Sequence, residues 1–128
     1  MPKRPLLDSD VLIDYLRRNP QAVAFVLGLT QRPLLSVVSV AELYSGVRDG
    51  EERTALDNLV GGFRIIRINR AIAVRAGLHR RQFQKSHGVQ LADALIAATA
   101  EEADAELFTL NTKHFPMLPE AKSPYRKA

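Results

Sequence analysis

Three carboxylates stand in apolar segments of this 128-residue sequence, where charged side chains are uncommon. Asp8 follows two leucines, Glu42 lies among valine, alanine and leucine, and Asp93 interrupts the segment Leu-Ala-Asp-Ala-Leu-Ile-Ala. An acid that is buried without a partner costs free energy, so each position predicts either a compensating contact or a function. Five glutamates in polar surroundings are predicted to be ordinary surface residues: Glu51, Glu52, Glu101, Glu102 and Glu120.

Convergence of Asp8, Glu42 and Asp93 would form a site for a divalent cation. Magnesium prefers oxygen ligands, usually keeps several waters and needs only one or two protein carboxylates. Such an ion can activate a water molecule and neutralise charge on a phosphate, so no protein nucleophile is required. The absence of cysteine also excludes a thiol nucleophile or a thiolate zinc site. We therefore predict Mg²⁺ or Mn²⁺ chemistry at a phosphodiester.

The alternation of predicted strands and helices favours an α/β fold with a mostly parallel sheet covered on both faces. Strands are predicted over 4–8, 34–38, 63–68 and 106–110. Helices are predicted to follow the first strand, then over 20–29, around residue 42, and over 51–60, 70–85 and 91–103. Residues 111–115 are predicted to form a turn, and the basic segment 123–127 to be peripheral.

The acids are expected at one edge of this sheet. Ser9 or Asp10 is predicted to cap the first helix, and Ser39 with Glu42 has the Ser-x-x-Glu form of a capping box, which would place Glu42 in a helix's first turn. Ligands of such sheets bind beyond the strands' carboxyl ends, where Asp8, Glu42 and Asn111 would lie. Asp93, near the start of its helix, can reach the same edge.

A structural role is the alternative for each acid taken singly. Asp8 and Glu42 could merely stabilise helix N-termini, and Asp93 could pair with an arginine in the core. The three together favour a site. Asp10 is predicted to be a cap or a water-mediated helper, and Asp14 an exposed residue or one that acts through a neighbour.

Composition limits the class of protein. The chain is long enough for one domain, residues 1–128, and 46% apolar residues can form its core. No apolar run approaches the roughly 20 residues that span a bilayer, so we expect no membrane association and a cytoplasmic location. The net charge of +4 favours polyanionic partners such as nucleic acid, although many basic proteins bind none.

Four segments together resemble the signature segments of PIN domains, specifically the VapC toxins of toxin–antitoxin pairs. They are residues 6–14, 39–43, 91–97 and 109–115, and the match runs through nearly the whole chain. The resemblance implies a three-layer α/β/α sandwich, Mg²⁺ or Mn²⁺ dependence, cleavage of single-stranded RNA and inhibition by a VapB-type antitoxin. It also implies that Asp8 and Asp93 are the principal metal ligands, completed by Glu42 directly or through water.

The fourth segment departs from the fullest form of the family pattern, which often has an aspartate at Asn111 or at His114. This departure puts a second metal ion in doubt. Asn111 could still offer a carbonyl oxygen or hold a water, and Thr109 a hydroxyl. His114 is predicted to be a neutral surface or packing histidine.

Several cations are candidates to meet RNA phosphates, with a solvated helix face as the alternative: Arg75, Arg80, Arg81, Lys85 and Lys113. The alternative is favoured for Arg80. The apolar first helices are expected to serve either a homodimer or the antitoxin, a choice that the sequence leaves open.

Two further functions compete. Asp8-Ser9-Asp10-Val11 also resembles the opening motif of haloacid-dehalogenase-like phosphatases, in which the first aspartate attacks phosphorus and the second is an acid and base. That interpretation gives Glu42 no role. The non-enzymatic alternative is a degenerate PIN domain that binds RNA or an antitoxin without cleavage, which the missing fourth acid supports.

Overall fold

A computed structural model describes residues 2–126 and shows four short parallel strands among six α-helices. The strands are β1 (Pro5–Leu7), β2 (Leu34–Ser36), β3 (Arg64–Ile66) and β4 (Glu106–Phe108). The helices are α1 (Ser9–Leu16), α2 (Pro20–Leu27), α3 (Val37–Ser45), α4 (Glu51–Gly61), α5 (Arg70–His87) and α6 (Leu91–Glu102), and a 3-10 turn covers Thr112–His114. The predicted order of elements is confirmed.

The sheet has the order β3-β2-β1-β4, and every neighbouring pair is parallel. Leu6 in the central strand β1 is in register with Leu34 of β2 and with Leu107 of β4. Because all strands run the same way, their carboxyl ends meet at one edge. Asp8, the start of α3 and the segment after β4 are therefore neighbours.

Alternation along the strands separates two layers of core. Leu6, Leu34 and Leu107 pack with Ile96 and other α6 residues on one face. The adjacent Leu7 and Leu35 pack on the other face with apolar side chains of α1, α3 and α4: Leu12, Leu43 and Leu56. Helix α5 lies outside α6, where Ile72 and Ala76 contact Ala94 and Ala98. The α/β fold with a helix-flanked parallel sheet is thus confirmed, and alanines allow the close approach of α5 and α6.

The start of α3 corrects the sequence prediction. Helix α3 begins at Val37, and the hydroxyl of Ser36 accepts from the backbone N–H of Val38 at 3.1 Å, so Ser36 is the N-cap. The Ser39–Glu42 capping box is therefore wrong, and Glu42 lies in the second turn. Valines 37 and 38 are β-branched and resemble a strand, but the Ser36 cap ends the strand two residues earlier than predicted.

The C-terminal segment also corrects a prediction, because residues 122–125 are not peripheral. The backbone N–H of Lys122 donates to Leu107 O, and the Thr109 N–H donates to Lys122 O, both at 2.9 Å. The hydroxyl of Tyr125 donates to Oδ2 of Asp14 at 2.8 Å. This segment therefore connects the end of β4 with α1 through hydrogen bonds. Lys127, part of the predicted tail, lies outside the described residues.

Within residues 2–126, no helix is long and apolar enough to cross a membrane.

Candidate active site

Asp8 is a buried carboxylate at the carboxyl end of β1, where it caps α1. Its Oδ1 accepts from the Ser9 N–H and its Oδ2 from the Thr109 hydroxyl, both at 2.8 Å. Asp8 itself is therefore the cap that the sequence assigned to Ser9 or Asp10. Burial raises the pKa of Asp8, and the hydrogen bonds from Thr109 and Ser9 oppose that rise. Local geometry thus holds a carboxylate where desolvation disfavours its charge.

Asp10 fastens the segment after β4 to the start of α1. Its Oδ2 accepts from the Leu110 N–H and the Asn111 side-chain amide, each at 3.0 Å, and from the Thr109 hydroxyl at 3.3 Å. Its Oδ1 is buried and has no hydrogen-bond partner within residues 2–126. Burial, and next the charge of Asp8, raise the pKa of Asp10 to about 6. Asp10 therefore connects the start of α1 with residues 110 and 111, and it also keeps one carboxylate oxygen without a hydrogen bond in the described chain.

Glu42 and Asp93 approach Asp8 from two other helices. The Ser9 hydroxyl lies 3.3 Å from Oε1 of Glu42 and 3.5 Å from Oδ1 of Asp8, so it links the two acids. Burial raises the pKa of Glu42, and the charges of Asp8 and Asp93 raise it further. Burial and the charge of Asp8 likewise raise the pKa of Asp93, which lies in the first turn of α6. The three predicted acids therefore interact.

His114 is an exposed histidine beside this group of acids. Its Nδ1 lies 4.0 Å from Oδ2 of Asp93, and 54% of its side chain is exposed. When charged, it lowers the pKa of both Asp93 and Asp8. The predicted surface position is confirmed, but the contact with Asp93 was not foreseen, since nothing in the sequence shows that the 3-10 turn faces the start of α6.

The side chain of Asn111 donates to Asp10, and its backbone N–H donates to the Thr109 hydroxyl at 3.1 Å. The amide nitrogen is thus engaged in holding the turn. The sequence indicated the Thr109 hydroxyl as part of the site, whereas Ser9 was predicted only as a cap. The position of Ser9 directly after Asp8 is the sequence feature that could have indicated its contact with Glu42.

The structure contradicts one of the two predictions for Asp14, that it is exposed, while the other, that it acts through a neighbour, stays a prediction. It is only 4% exposed and accepts the hydrogen bond from Tyr125 described above. The acid lies on the buried side of α1, where it anchors the C-terminal segment. This contact joins α1 to the C-terminal segment.

The predicted phosphate-binding cations fall into different surroundings. Arg75 lies 3.4 Å from Glu101 and 2.9 Å from Glu102, so it is already paired. Arg80, Arg81 and Lys85 line one groove on α5, and Lys113 is exposed on the 3-10 turn next to His114. Glu101 is a half-buried partner of Arg75, which corrects its prediction as an ordinary surface acid. Glu102 also contacts Arg75 but is exposed, as predicted.

The donor set suits a hard divalent cation. Asp8, Glu42 and Asp93 supply only carboxylate oxygens, and Asp10 adds the unsatisfied Oδ1. Among residues 2–126, however, no group of three or more acidic or histidine side chains is placed so that together it could hold a metal ion. The structure therefore shows neighbouring acids rather than a ready-made three-carboxylate site. An ion that takes one or two carboxylates and keeps its waters fits this arrangement.

Comparison with known proteins identifies the family. The family model described as "PIN domain" matches residues 6–119. Ribonuclease VapC10 of Mycobacterium tuberculosis is 43% identical over 94% of this chain and 92% of its own length, and ribonuclease VapC19 of the same organism is 35% identical over 94% and 98%. A toxin–antitoxin complex from Klebsiella pneumoniae contains a chain with a TM-score of 0.83 and 28% identity, covering 96% of this chain and 99% of that one. The chain belongs to the PIN-domain family, among its VapC members.

Proposed function

We propose that this protein is a divalent-metal-dependent endoribonuclease whose metal is held at Asp8, Glu42 and Asp93, by one or two of these carboxylates directly and by the rest through water. The observation that carries the proposal is the convergence of Asp8, Glu42 and Asp93, in which burial and then the charges of neighbouring acids raise the pKa of Glu42 and of Asp93. The Ser9 hydroxyl lies between Glu42 and Asp8, at 3.3 Å and 3.5 Å. Such a group is stabilised by a cation supplied from outside. Two relatives more than 30% identical are named ribonucleases, which supports RNA as the substrate.

The proposed ion is Mg²⁺ or Mn²⁺, since both accept oxygen ligands. When bound, it would supply activation of a water molecule and neutralisation of charge on the phosphate. Asp8 is held for this role from two sides, by the Ser9 N–H and the Thr109 hydroxyl. Asp10 and Asn111 keep Thr109 in place, so they position Asp8. Oxygen donation by the Asn111 carbonyl remains a prediction.

The proposed substrate is a single-stranded region of RNA. A single strand can present its backbone to an open edge such as the one bounded by the 3-10 turn and α6. The exposed Lys113 and His114 on that turn would face phosphates near the acids. The family match argues against a phosphatase, and so does Asp10, whose Oδ2 already accepts from the Leu110 N–H and the Asn111 side-chain amide.

The proposed partners are a VapB-type antitoxin and a second copy of the chain. The toxin–antitoxin complex from Klebsiella pneumoniae supports the antitoxin. A groove of about 590 Å³ between α1, α2 and α4 would receive it, because its lining includes Leu16, Val26, Leu29 and Leu59. We further propose that residues 1–128 act as one PIN domain, as the family match over 6–119 supports.

The test is cleavage of a cellular RNA pool by antitoxin-free protein with Mg²⁺, Mn²⁺ or EDTA. Asp93→Asn should abolish metal-dependent cleavage. Asp104→Asn is the matched control, because Asp104 has an 86% exposed side chain paired with Lys3 and its positive φ of 50° suits asparagine. Discrete products that persist in EDTA or in Asp93→Asn would refute the proposal. Binding without any cleavage would instead support the degenerate PIN domain.

A further inference from the structure

A groove on the outer side of α5 collects positive charge without acidic neighbours. We define the α5 groove by its lining residues, which enclose about 530 Å³: Gly77, Arg80, Arg81, Gln84, Lys85 and Leu91. Three of the six are cations, Gln84 adds a neutral hydrogen-bonding group, and none is an acid. The groove therefore offers hydrogen-bond donors and positive charge to an anion.

The cations of this groove have no ion-pair partner within residues 2–126, since no salt bridge involves Arg80, Arg81 or Lys85. Arg75, one to three turns earlier on the same helix, lies in ion-pair distance of both Glu101 and Glu102. Helix α5 thus has a neutralised side and an uncompensated side. Uncompensated guanidinium and ammonium groups are the ones that can exchange counterions for phosphates.

Gly77 gives an independent reason to regard the groove as a contact surface. It lies inside the 18-residue helix α5, where glycine is less favourable than alanine, yet a Cβ added there would meet no atom within 4 Å. Packing within the described chain therefore does not require glycine at this position. The missing side chain leaves the groove open at the turn before Arg80 and Arg81.

The groove and the proposed active site both include residues at the start of α6. Leu91, part of its lining, is the first residue of α6, and Asp93 lies in the first turn of that helix. Because side chains two residues apart on a helix project to different sides, a bound strand would run from the groove past the N-terminus of α6 to reach Asp93. Along α5, Arg81 and Lys85 are separated by one turn, a rise of about 6 Å, so they can meet different phosphates of one strand.

We propose that the α5 groove binds backbone phosphates of the RNA strand that flanks the scissile phosphodiester. The inference rests on the proposed ribonuclease function and assigns it a substrate-binding surface. Arg81 and Lys85 would contact phosphates, Arg80 would add charge, and Gly77 would allow the strand to lie close to the helix. Contacts of this kind position the strand and carry no sequence information.

The test is binding of a fluorescent single-stranded RNA oligonucleotide in EDTA, which separates binding from cleavage, at several salt concentrations. Arg81→Gln with Lys85→Gln should weaken binding about tenfold near 0.1 M salt and lower the slope of log K against log salt by about 1.4, or 0.7 for each lost phosphate contact. The matched control is Lys3→Gln with Arg53→Gln, which removes one lysine and one arginine that are paired with Asp104 and Asp57.

An uncharged change provides the second arm. Gly77→Leu should fill the groove and weaken RNA binding several-fold, whereas Gly77→Ala should leave binding close to that of the wild type. Equal slopes and affinities for the groove variant and the charge control would overturn the proposal. The proposal would also be overturned if the groove substitutions weakened the binding of an acidic peptide and left RNA binding unchanged. Failure of the wild type to cleave RNA with metal would refute the proposed function separately, because binding is measured without it.

Discussion

Helix α6 has acidic residues at both of its ends, and the two ends differ in how their charge is compensated. At the C-terminal end, Glu101 contacts His79 at 2.5 Å and Arg75 at 3.4 Å, and Glu102 contacts Arg75 at 2.9 Å. At the N-terminal end, Asp93 interacts with the carboxylates of Asp8 and Glu42, and the nearest basic group, the exposed His114, lies at the 4.0 Å limit of an ion pair.

The comparison separates structural acids from functional ones. Acids whose charge is matched inside the chain need nothing more for stability. Acids that repel one another make the folded chain less stable unless a cation from outside joins them. Burial alone does not make this distinction, since each group includes a half-buried acid and an exposed one: Asp93 and Glu42 in the first, Glu101 and Glu102 in the second.

The largest expected difference between the two ends is in catalysis. Glu42→Gln should lower kcat/KM for RNA cleavage by about 100-fold or more. This loss exceeds the roughly 10- to 100-fold loss that is usual when only a hydrogen-bond partner of a metal ligand is removed. Glu101→Gln, the same substitution at the compensated end, should change it less than about twofold. Single-turnover cleavage of one defined RNA at saturating metal measures both. Similar losses in the two variants would contradict the comparison.

Metal addition should stabilise the protein through the uncompensated end only. A cation at about 100 times its Kd adds roughly 2.7 kcal/mol to the free energy of unfolding, which raises Tm on the order of 10 °C. Asp8→Asn should remove most of this shift, and Glu102→Gln should preserve it. Thermal unfolding with EDTA, Mg²⁺ or Mn²⁺ is the measurement. A metal-induced shift that survives Asp8→Asn would place the ion elsewhere.

Substitution of Thr109 should show how much kcat depends on the hydrogen bond that positions Asp8. Thr109→Val removes the hydroxyl that donates to Asp8 and should lower kcat about 10- to 100-fold, while Thr109→Ser should recover most of the activity. Thr99→Val is the control, because Thr99 is equally buried but its hydroxyl donates to Leu95 O within its own helix. Equal effects of the two valine substitutions on kcat would show a general packing effect.

The smallest expected effect is the stability contribution of the compensated end. Glu101→Gln should lower the free energy of unfolding by up to about 1 kcal/mol, since Arg75 is 46% exposed and solvent screens the pair. Urea unfolding should show a lower midpoint with an unchanged m-value. A stabilised Glu101→Gln variant would mean that this end is also under repulsion, and the contrast along α6 would fail.

Element order and the parallel sheet could be predicted from sequence, because apolar strands alternate with amphipathic helices and glycines mark helix ends. Gly88, with a φ of 62°, ends α5 after His87, two residues beyond the predicted range 70–85. The start of α3 could not be predicted in the same way. Val37 and Val38 continue the pattern of β2, and only the Ser36 hydroxyl decides that the backbone turns into a helix there.

For the site, the acids were identified from their apolar surroundings, whereas their partners were not. The contact between His114 and Asp93, and the hydrogen bonds of Asp10 to residues 109–111, join segments far apart in the chain. Such contacts depend on tertiary packing that one sequence does not reveal. The pairing of Arg75 with Glu101 and Glu102 was missed for the same reason, and it removes Arg75 from the cations available to RNA.

The hydrogen bond between Thr109 and Asp8 spans 101 positions of the chain, which has a consequence for timing during protein synthesis. A nascent chain that has emerged only to residue 105 already contains Asp8, Glu42 and Asp93. It still lacks β4 and the donors that hold Asp8 and Asp10 from the other side. The catalytic edge is therefore completed late in translation, after nearly all of the other elements are available to fold.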